Sequence, residues 1–238
     1  IRELKDQDVY EAGGIIPGAL HIIQRGAILN TRPLRDLLED TIVSRAGFRL
    51  LGDLPLKTYL SVVERDTGRV CRLSSRDDPD LPIVQVLMAS TAIPIAFPSH
   101  ELKLPCSERA VQCIDGGTGM DGIPVDALRG ENCHTIYVIR PMKYDPAKSW
   151  NKEMALSRFQ IVANALNTFM YVQEALLDNA LFRATRYARS RAYAYVPVLD
   201  HNYNLLDFES GGEQIEATRA WAERSESAPR PISELPRF

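Results

Sequence analysis

Apolar positions recur along the chain with two different periods, and the alternation of strand-like with helix-like blocks predicts an α/β layering. Leu34, Leu37, Leu38 and Ile42 fall at helical spacing behind Pro33, a residue that needs no N–H in a first turn, so 33–44 is predicted as a short amphipathic helix. Residues 58–63 are β-branched and aromatic, Asp66, Thr67 and Gly68 supply turn chemistry, and 70–73 return, which predicts an antiparallel hairpin. After Pro82, the side chains of Ile83, Val84, Val86, Leu87 and Met88 leave almost no polar face. A helix buried on nearly all sides follows, ended by Pro94 and Pro98.

Residues 110–114 form a short apolar strand that feeds into Asp115, and 135–139 are a continuous β-branched run of the kind buried in parallel sheets. A long helical stretch over about 152–187, a strand at 192–198 and an amphipathic helix at 213–224 complete the pattern. The tail 225–238 carries three prolines and is expected to be loosely ordered. The expected organisation is therefore one domain over 1–224 with a central, mostly parallel sheet flanked by helices, followed by the tail.

Composition narrows the function without naming it. With 28 basic against 31 acidic side chains and a net charge of -3, the chain lacks the electrostatic footprint of a nucleic-acid binder. The greasiest stretch, 82–97, is interrupted by Gln85, Ser90, Thr91 and Pro94 and falls short of the about 20 apolar residues that a bilayer span needs. No signal-peptide core opens the chain, so a soluble protein, cytoplasmic or peripheral to a membrane, is expected. Cys71, Cys106, Cys113 and Cys133 form no C-x-x-C pair and His21, His100, His134 and His201 are scattered, so neither a metal nor another cofactor is expected. Cys106 and Cys113 flank a six-residue turn and could bridge, although a reduced buried thiol is the commoner state.

The chemistry concentrates in residues 115–122, Asp-Gly-Gly-Thr-Gly-Met-Asp-Gly. Gly117, Gly119 and Gly122 satisfy G-x-G-x-x-G after a strand, the outline of a dinucleotide site. Pro124 falls inside the helix turns that such a site requires, and the acid about 20 residues on, Asp145, lies past a strand in a proline-flanked loop, so that reading fails. An aspartate before glycine also caps ordinary turns. In a parallel sheet, however, active sites lie at the carboxyl ends of strands, and Asp115 stands at such an end.

Three ordered segments surround it: Ala89-Ser90-Thr91-Ala92-Ile93-Pro94-Ile95-Ala96-Phe97-Pro98, then Asp115-Gly116-Gly117, then Ile123-Pro124-Val125. Together they resemble the patatin-like phospholipases, serine lipid acyl hydrolases whose pattern is A-S-x-A-I-P-x-x-F-P, a strand ending in D-G-G, then N-x-P-V. Asp8, Val9 and Tyr10 look like the family's D-V-Y, residues 30–38 like its N-x-x-P-L-R-x-L-L, and 64–69 like its hairpin turn. The resemblance runs from about 5 to 140.

The resemblance implies a Ser-Asp dyad that hydrolyses lipid esters, with Asp115 as the proton acceptor on the turn made by Gly116 and Gly117. It also implies a serine on a G-x-S-x-G elbow and a glycine-rich oxyanion loop. None of the fourteen serines stands in G-x-S-x-G. Both parts are expected upstream of Ile1, on the same gene product or a separate piece, leaving the patatin-like fold incomplete at its N-terminus and the chain inactive as written. The alternative is a non-catalytic patatin-fold module that binds lipid or protein. Gly122 stands where the family commonly has asparagine, and Asp121 places a second carboxylate that could raise the proton affinity of Asp115. Expected partners are a lipid or ester substrate and a membrane met peripherally, for which 12–24 with Ile15, Ile16, Leu20, Ile22 and Ile23 is a candidate, core packing being the blander account. Trp150, Tyr171, Phe182 and Tyr187 are candidate pocket aromatics, with core packing again the default.

Overall fold

The computed structural model describes residues 5–12, 27, 29–105, 107–119, 121–139, 176, 179–183, 185–186, 191–197, 199, 210–224 and 227–234. The chain divides into two compact units at Ala127/Leu128, a boundary inside the single span 1–224 expected from sequence.

The first unit, Lys5–Ala127, holds a two-stranded and a four-stranded antiparallel sheet. Its strands are β1 (Glu11–Ala12), β2 (Leu29–Asn30), β3 (Tyr59–Glu64), β4 (Val70–Ser74), β5 (His100–Leu102) and β6 (Val111–Asp115). Strands β1 and β2 pair with each other, and the other four run in the order β4-β3-β6-β5. Every neighbouring pair in that sheet is antiparallel, which overturns the expected central parallel sheet. The expectation failed because a short apolar strand buried on both faces reads the same in either direction. The hairpin itself forms as predicted, with Gly68 at φ 71, a left-handed turn conformation that suits glycine.

Helix α1 (Arg32–Leu38) starts with its proline in the first turn and widens into a π-helical turn, Glu39–Arg45. Helix α2 (Ile83–Ser90) buries Ile83, Val84, Val86, Met88 and Ala89, as its apolar composition predicts. It ends four residues before Pro94 and is capped by Thr91, whose N–H and hydroxyl both donate to the Leu87 carbonyl, at 3.0 and 2.9 Å. The core joins Val86 and Met88 of α2 to Leu51, Leu104, Val62 of β3, Leu73 of β4 and Cys113 of β6, all nearly free of solvent. Cys113 lies buried in this core; Cys106 lies outside the described residues.

In the second unit β7 (Thr135–Ile139) and β8 (Arg191–Tyr195) pair in parallel, and β9 (Arg230–Pro231) adds an antiparallel edge to β8. That strand and the 3-10 turn Ile232–Glu234 belong to the segment read from sequence as a loose tail. β7 is not buried on both faces as its composition suggests: Ile136 and Val138 point inward, whereas Tyr137 and Ile139 are 60% and 76% exposed. Tyr137 instead stacks on Tyr193, with ring centroids 5.6 Å apart. Helix α3 (Gly211–Ala222) follows the amphipathic pattern. Most of the helical stretch predicted over 152–187 lies outside the described residues.

Candidate functional site

Asp115 closes β6, where its backbone N–H donates to the Ala92 carbonyl at 3.0 Å and its position pairs with Val62 of β3. The chain then turns through a 3-10 element, Gly116–Thr118, capped by the Asp115 side chain: Oδ1 accepts from the Gly117 N–H at 2.6 Å. Oδ2 has no hydrogen-bond partner among the described residues. Burial raises the Asp115 pKa above the ordinary carboxylate value, and the Gly117 N–H partly offsets this by stabilising the anion. A half-buried carboxylate with one oxygen tied and the other free is suited to accept and return a proton.

Close packing explains the glycines. A Cβ on Gly116 would sit 2.6 Å from the Ser61 carbonyl oxygen, and one on Gly119 would sit 2.8 Å from Cγ2 of Val70. The loop therefore lies directly on the strands beneath it. The Thr118 hydroxyl is buried within it without a hydrogen-bond partner among the described residues.

Register shows where the loop goes. Paired residues of an antiparallel sheet share a face, so Val62, Cys71 and Asp115 point to the core side, and the next pair, Ser61 and Arg72, points to the other. After Asp115 the chain crosses β3 at Gly116 and passes over Val63 and Val70 at Gly119. It reaches Asp121 on the far side, where that carboxylate is fully buried. Arg72 Nε donates to its Oδ2 at 2.6 Å and Nη2 to its Oδ1 at 2.8 Å, while Ser61 Oγ donates to Oδ2 at 2.5 Å. Arg72 Nη2 also reaches Asp126 at 3.4 Å. Asp121 is thus not what raises the proton affinity of Asp115: its charge is met by a guanidinium, and burial is the cause.

The segment after α2 supplies the opposite support. Phe97 N–H closes a turn on the Ile93 carbonyl at 2.8 Å, and Leu29 N–H donates to Ala96 O at 3.0 Å. At the apex Ile95 has φ 73, a strained conformation for a β-branched residue, and is 44% exposed. Ser90 Oγ donates to the Ser61 carbonyl at 2.9 Å, so the end of α2 and the Asp115 loop meet on the same residue of β3.

Residues 2–129 match the patatin-like phospholipase profile. The chain belongs to the patatin-like phospholipase family. Comparison with curated proteins returns no match. The patatin-like match takes in β1 to β6, α1, α2, the Asp115 turn and Pro124-Val125, and it ends within two residues of the first compact unit. In this patatin-like unit Asp115, Gly116 and Gly117 form one turn. Gly122 precedes the buried Val125 and its 3-10 turn Val125–Leu128.

Three contributors were not singled out from sequence: Ser61, Arg72 and the strained state of Ile95. Arg72 leaves a signal, since it interrupts the apolar run Val70 to Leu73 on a strand, but the pattern alone reads it as solvent-facing. Of the candidate pocket aromatics, Phe182 is exposed beneath Arg186, whose guanidinium lies 5.0 Å from the ring centroid, while Trp150, Tyr171 and Tyr187 lie outside the described residues. Of the candidate membrane loop 12–24, Ala12 ends β1 and residues 13–24 lie outside them as well. Among the described residues no cluster of His, Cys, Asp and Glu could hold a metal ion, and no helix is long and apolar enough to cross a membrane.

Proposed function

We propose that this patatin-like phospholipase is a lipid acyl hydrolase that cleaves ester bonds of phospholipids or related lipids, with Asp115 as the acid–base partner of a serine nucleophile. The observation that carries this reading is the Asp115 carboxylate itself, with Oδ1 held by Gly117, Oδ2 free and its basicity raised by burial. The serine hydroxyl gives its proton to Oδ2 as Oγ bonds to the ester carbonyl carbon. The leaving alcohol then takes that proton, and water repeats the sequence to release the acid and restore the serine.

None of the fourteen serines stands in G-x-S-x-G, so we place the serine among residues preceding Ile1. Residues 1–238 alone are then expected to show no turnover. A non-catalytic module that binds lipid or protein is the second reading, favoured by that same missing motif. The test uses the full-length gene product with a fluorophosphonate serine label and an ester substrate. Labelling with turnover that Asp115→Asn abolishes supports the dyad. Absence of labelling favours the binding module, and turnover retained in Asp115→Asn assigns the base elsewhere.

A further inference from the structure

We infer that Arg72 and Asp121 are positioning residues for Asp115, tying the far end of its loop to the face of the sheet opposite the core. The inference rests on the acyl-hydrolase reading above and adds to it the device that holds the base in place.

Three of the four residues 116–119 are glycines, and such a loop has the largest conformational freedom of any composition. Its near end is fixed by the pairing of Asp115 with Val62 and by the bond from its N–H to Ala92. Contacts at Gly116 and Gly119 forbid a side chain but make no directional bond to the strands, and the bond from the Gly119 N–H to the Gly116 carbonyl at 3.2 Å stays within the loop. The directional constraint is at Asp121, which takes three hydrogen bonds of 2.8 Å or less from Arg72 and Ser61.

An ion pair between a buried carboxylate and a partly exposed guanidinium adds little net stability, because desolvation and solvent screening offset most of its attraction. What it supplies is geometry: the planar guanidinium fork accepts the carboxylate in one orientation only. Ser61 joins the two ends of the device, since its hydroxyl binds Asp121 while its backbone lies against Gly116, next to the base. With the fork removed, the Asp121 end is released, the Gly117 N–H loses its fixed place at Oδ1, and water enters around Asp115.

The test compares the full-length gene product with Arg72→Lys and with the double variant Arg72→Gln/Asp121→Asn, which removes both charges together and leaves no buried charge unpaired. Two quantities are read: kcat per fluorophosphonate-labelled serine, and the Asp115 titration followed by carboxyl-carbon NMR. The double variant is expected to keep KM within about twofold and lose about 10- to 100-fold in kcat, the scale of an ångström-sized misplacement. Its Asp115 titration should move toward that of an ordinary carboxylate, with Arg72→Lys between it and the parent. A merely structural ion pair would lower the labelled fraction and the Tm but leave both readouts unchanged. An unchanged kcat per labelled serine, or an unmoved titration, overturns the inference. If turnover survives Asp115→Asn, the dyad reading falls instead, and the NMR titration alone decides whether the fork holds the loop.

Discussion

The two faces of the sheet β4-β3-β6-β5 are made by the same strands and do different work. Toward α2 lie Val62, Cys71, Leu73, Leu102 and Cys113, an apolar layer packed on Val86 and Met88. One residue along each strand, the opposite face carries Ser61 and Arg72, which close on the buried Asp121. Burial of the first layer is non-directional and scales with area, so it stabilises the unit without specifying any one atom's position. The second face gains little net energy from its ion pair but fixes atoms to within a hydrogen-bond length. Asp115 stands on the first face and its loop is fastened on the second. Stability and placement of the proposed base are therefore expected to be separable by mutation.

The largest effect expected is on chemistry alone. Asp115→Asn should lower ester turnover of the full-length product by about 10³-fold, the range for loss of a general base. The fold should not suffer. Because burial raises the folded-state pKa above the unfolded value of 3.8, Asp115 contributes stability below that value that is lost as pH rises through the folded pKa. At neutral pH the parent thus bears a cost that asparagine lacks. Thermal melts should show Asp115→Asn at least as stable as the parent at pH 7, with the advantage vanishing in acid. A large loss of Tm at pH 7 would break the separation of the two faces.

On the apolar face, Leu73→Ala should cost about 3 kcal/mol, read from the urea midpoint, while activity per folded molecule holds. Gly116→Ala strikes the crossing point between the faces. A Cβ there meets the Ser61 backbone, so about 2 kcal/mol of destabilisation and a loss of turnover per folded molecule should appear together. If either change appears without the other, the loop does not couple the faces at Gly116.

A smaller effect should appear with pH. His100 on β5 pairs in register with Cys113 on the core side, and its Nε2 is buried without a hydrogen-bond partner among the described residues. Burial, then the charge of Arg35, lowers its pKa to about 4 from 6.5. The folded state therefore holds the neutral ring: stability is full above pH 6.5, declines as pH falls from there to about 4, and is flat below. His100→Leu should flatten that part of the denaturation profile; an unchanged slope would assign it to other groups. The smallest change expected is at Ile95, where Ile95→Gly relieves the positive φ and should raise stability by about 1 kcal/mol in the same melts.

Much of this was legible in the chain because the signals are local. The turn residues Asp66, Thr67 and Gly68 mark the hairpin, the apolar run after Pro82 marks the buried helix, and an apolar strand ending in Asp-Gly-Gly marks the turn at Asp115. Strand direction was not legible, since β6 and its neighbours present the same short apolar pattern to a parallel or an antiparallel partner. The fork was not legible either, for Arg72 finds Asp121 across a separation of 49 residues and no spacing rule joins them. Ile95 takes its strained φ from the bridge to Ala27 and the bond from Leu29 to Ala96, contacts that local preference opposes. Asp121 drew notice beside the base, but its role depends on strands far away in sequence.

The bond between Ser61 and Asp121 spans 60 residues, whereas β3 and β4 are joined by a tight turn. Chain closure over the longer span costs more entropy and must await the arrival of β6, so the hairpin is expected to form first and the base's loop last. The same order should run in reverse during native-state fluctuations. Amide hydrogens at Gly117 and Gly119 should exchange by local opening, well before those of Val62 and Leu73, which should exchange only when the whole unit unfolds. Equal exchange rates would mean that the loop is knitted into the hairpin from the start. The active form would otherwise be the last part assembled and the first released, a vulnerability set by chain connectivity and not by the strength of any contact.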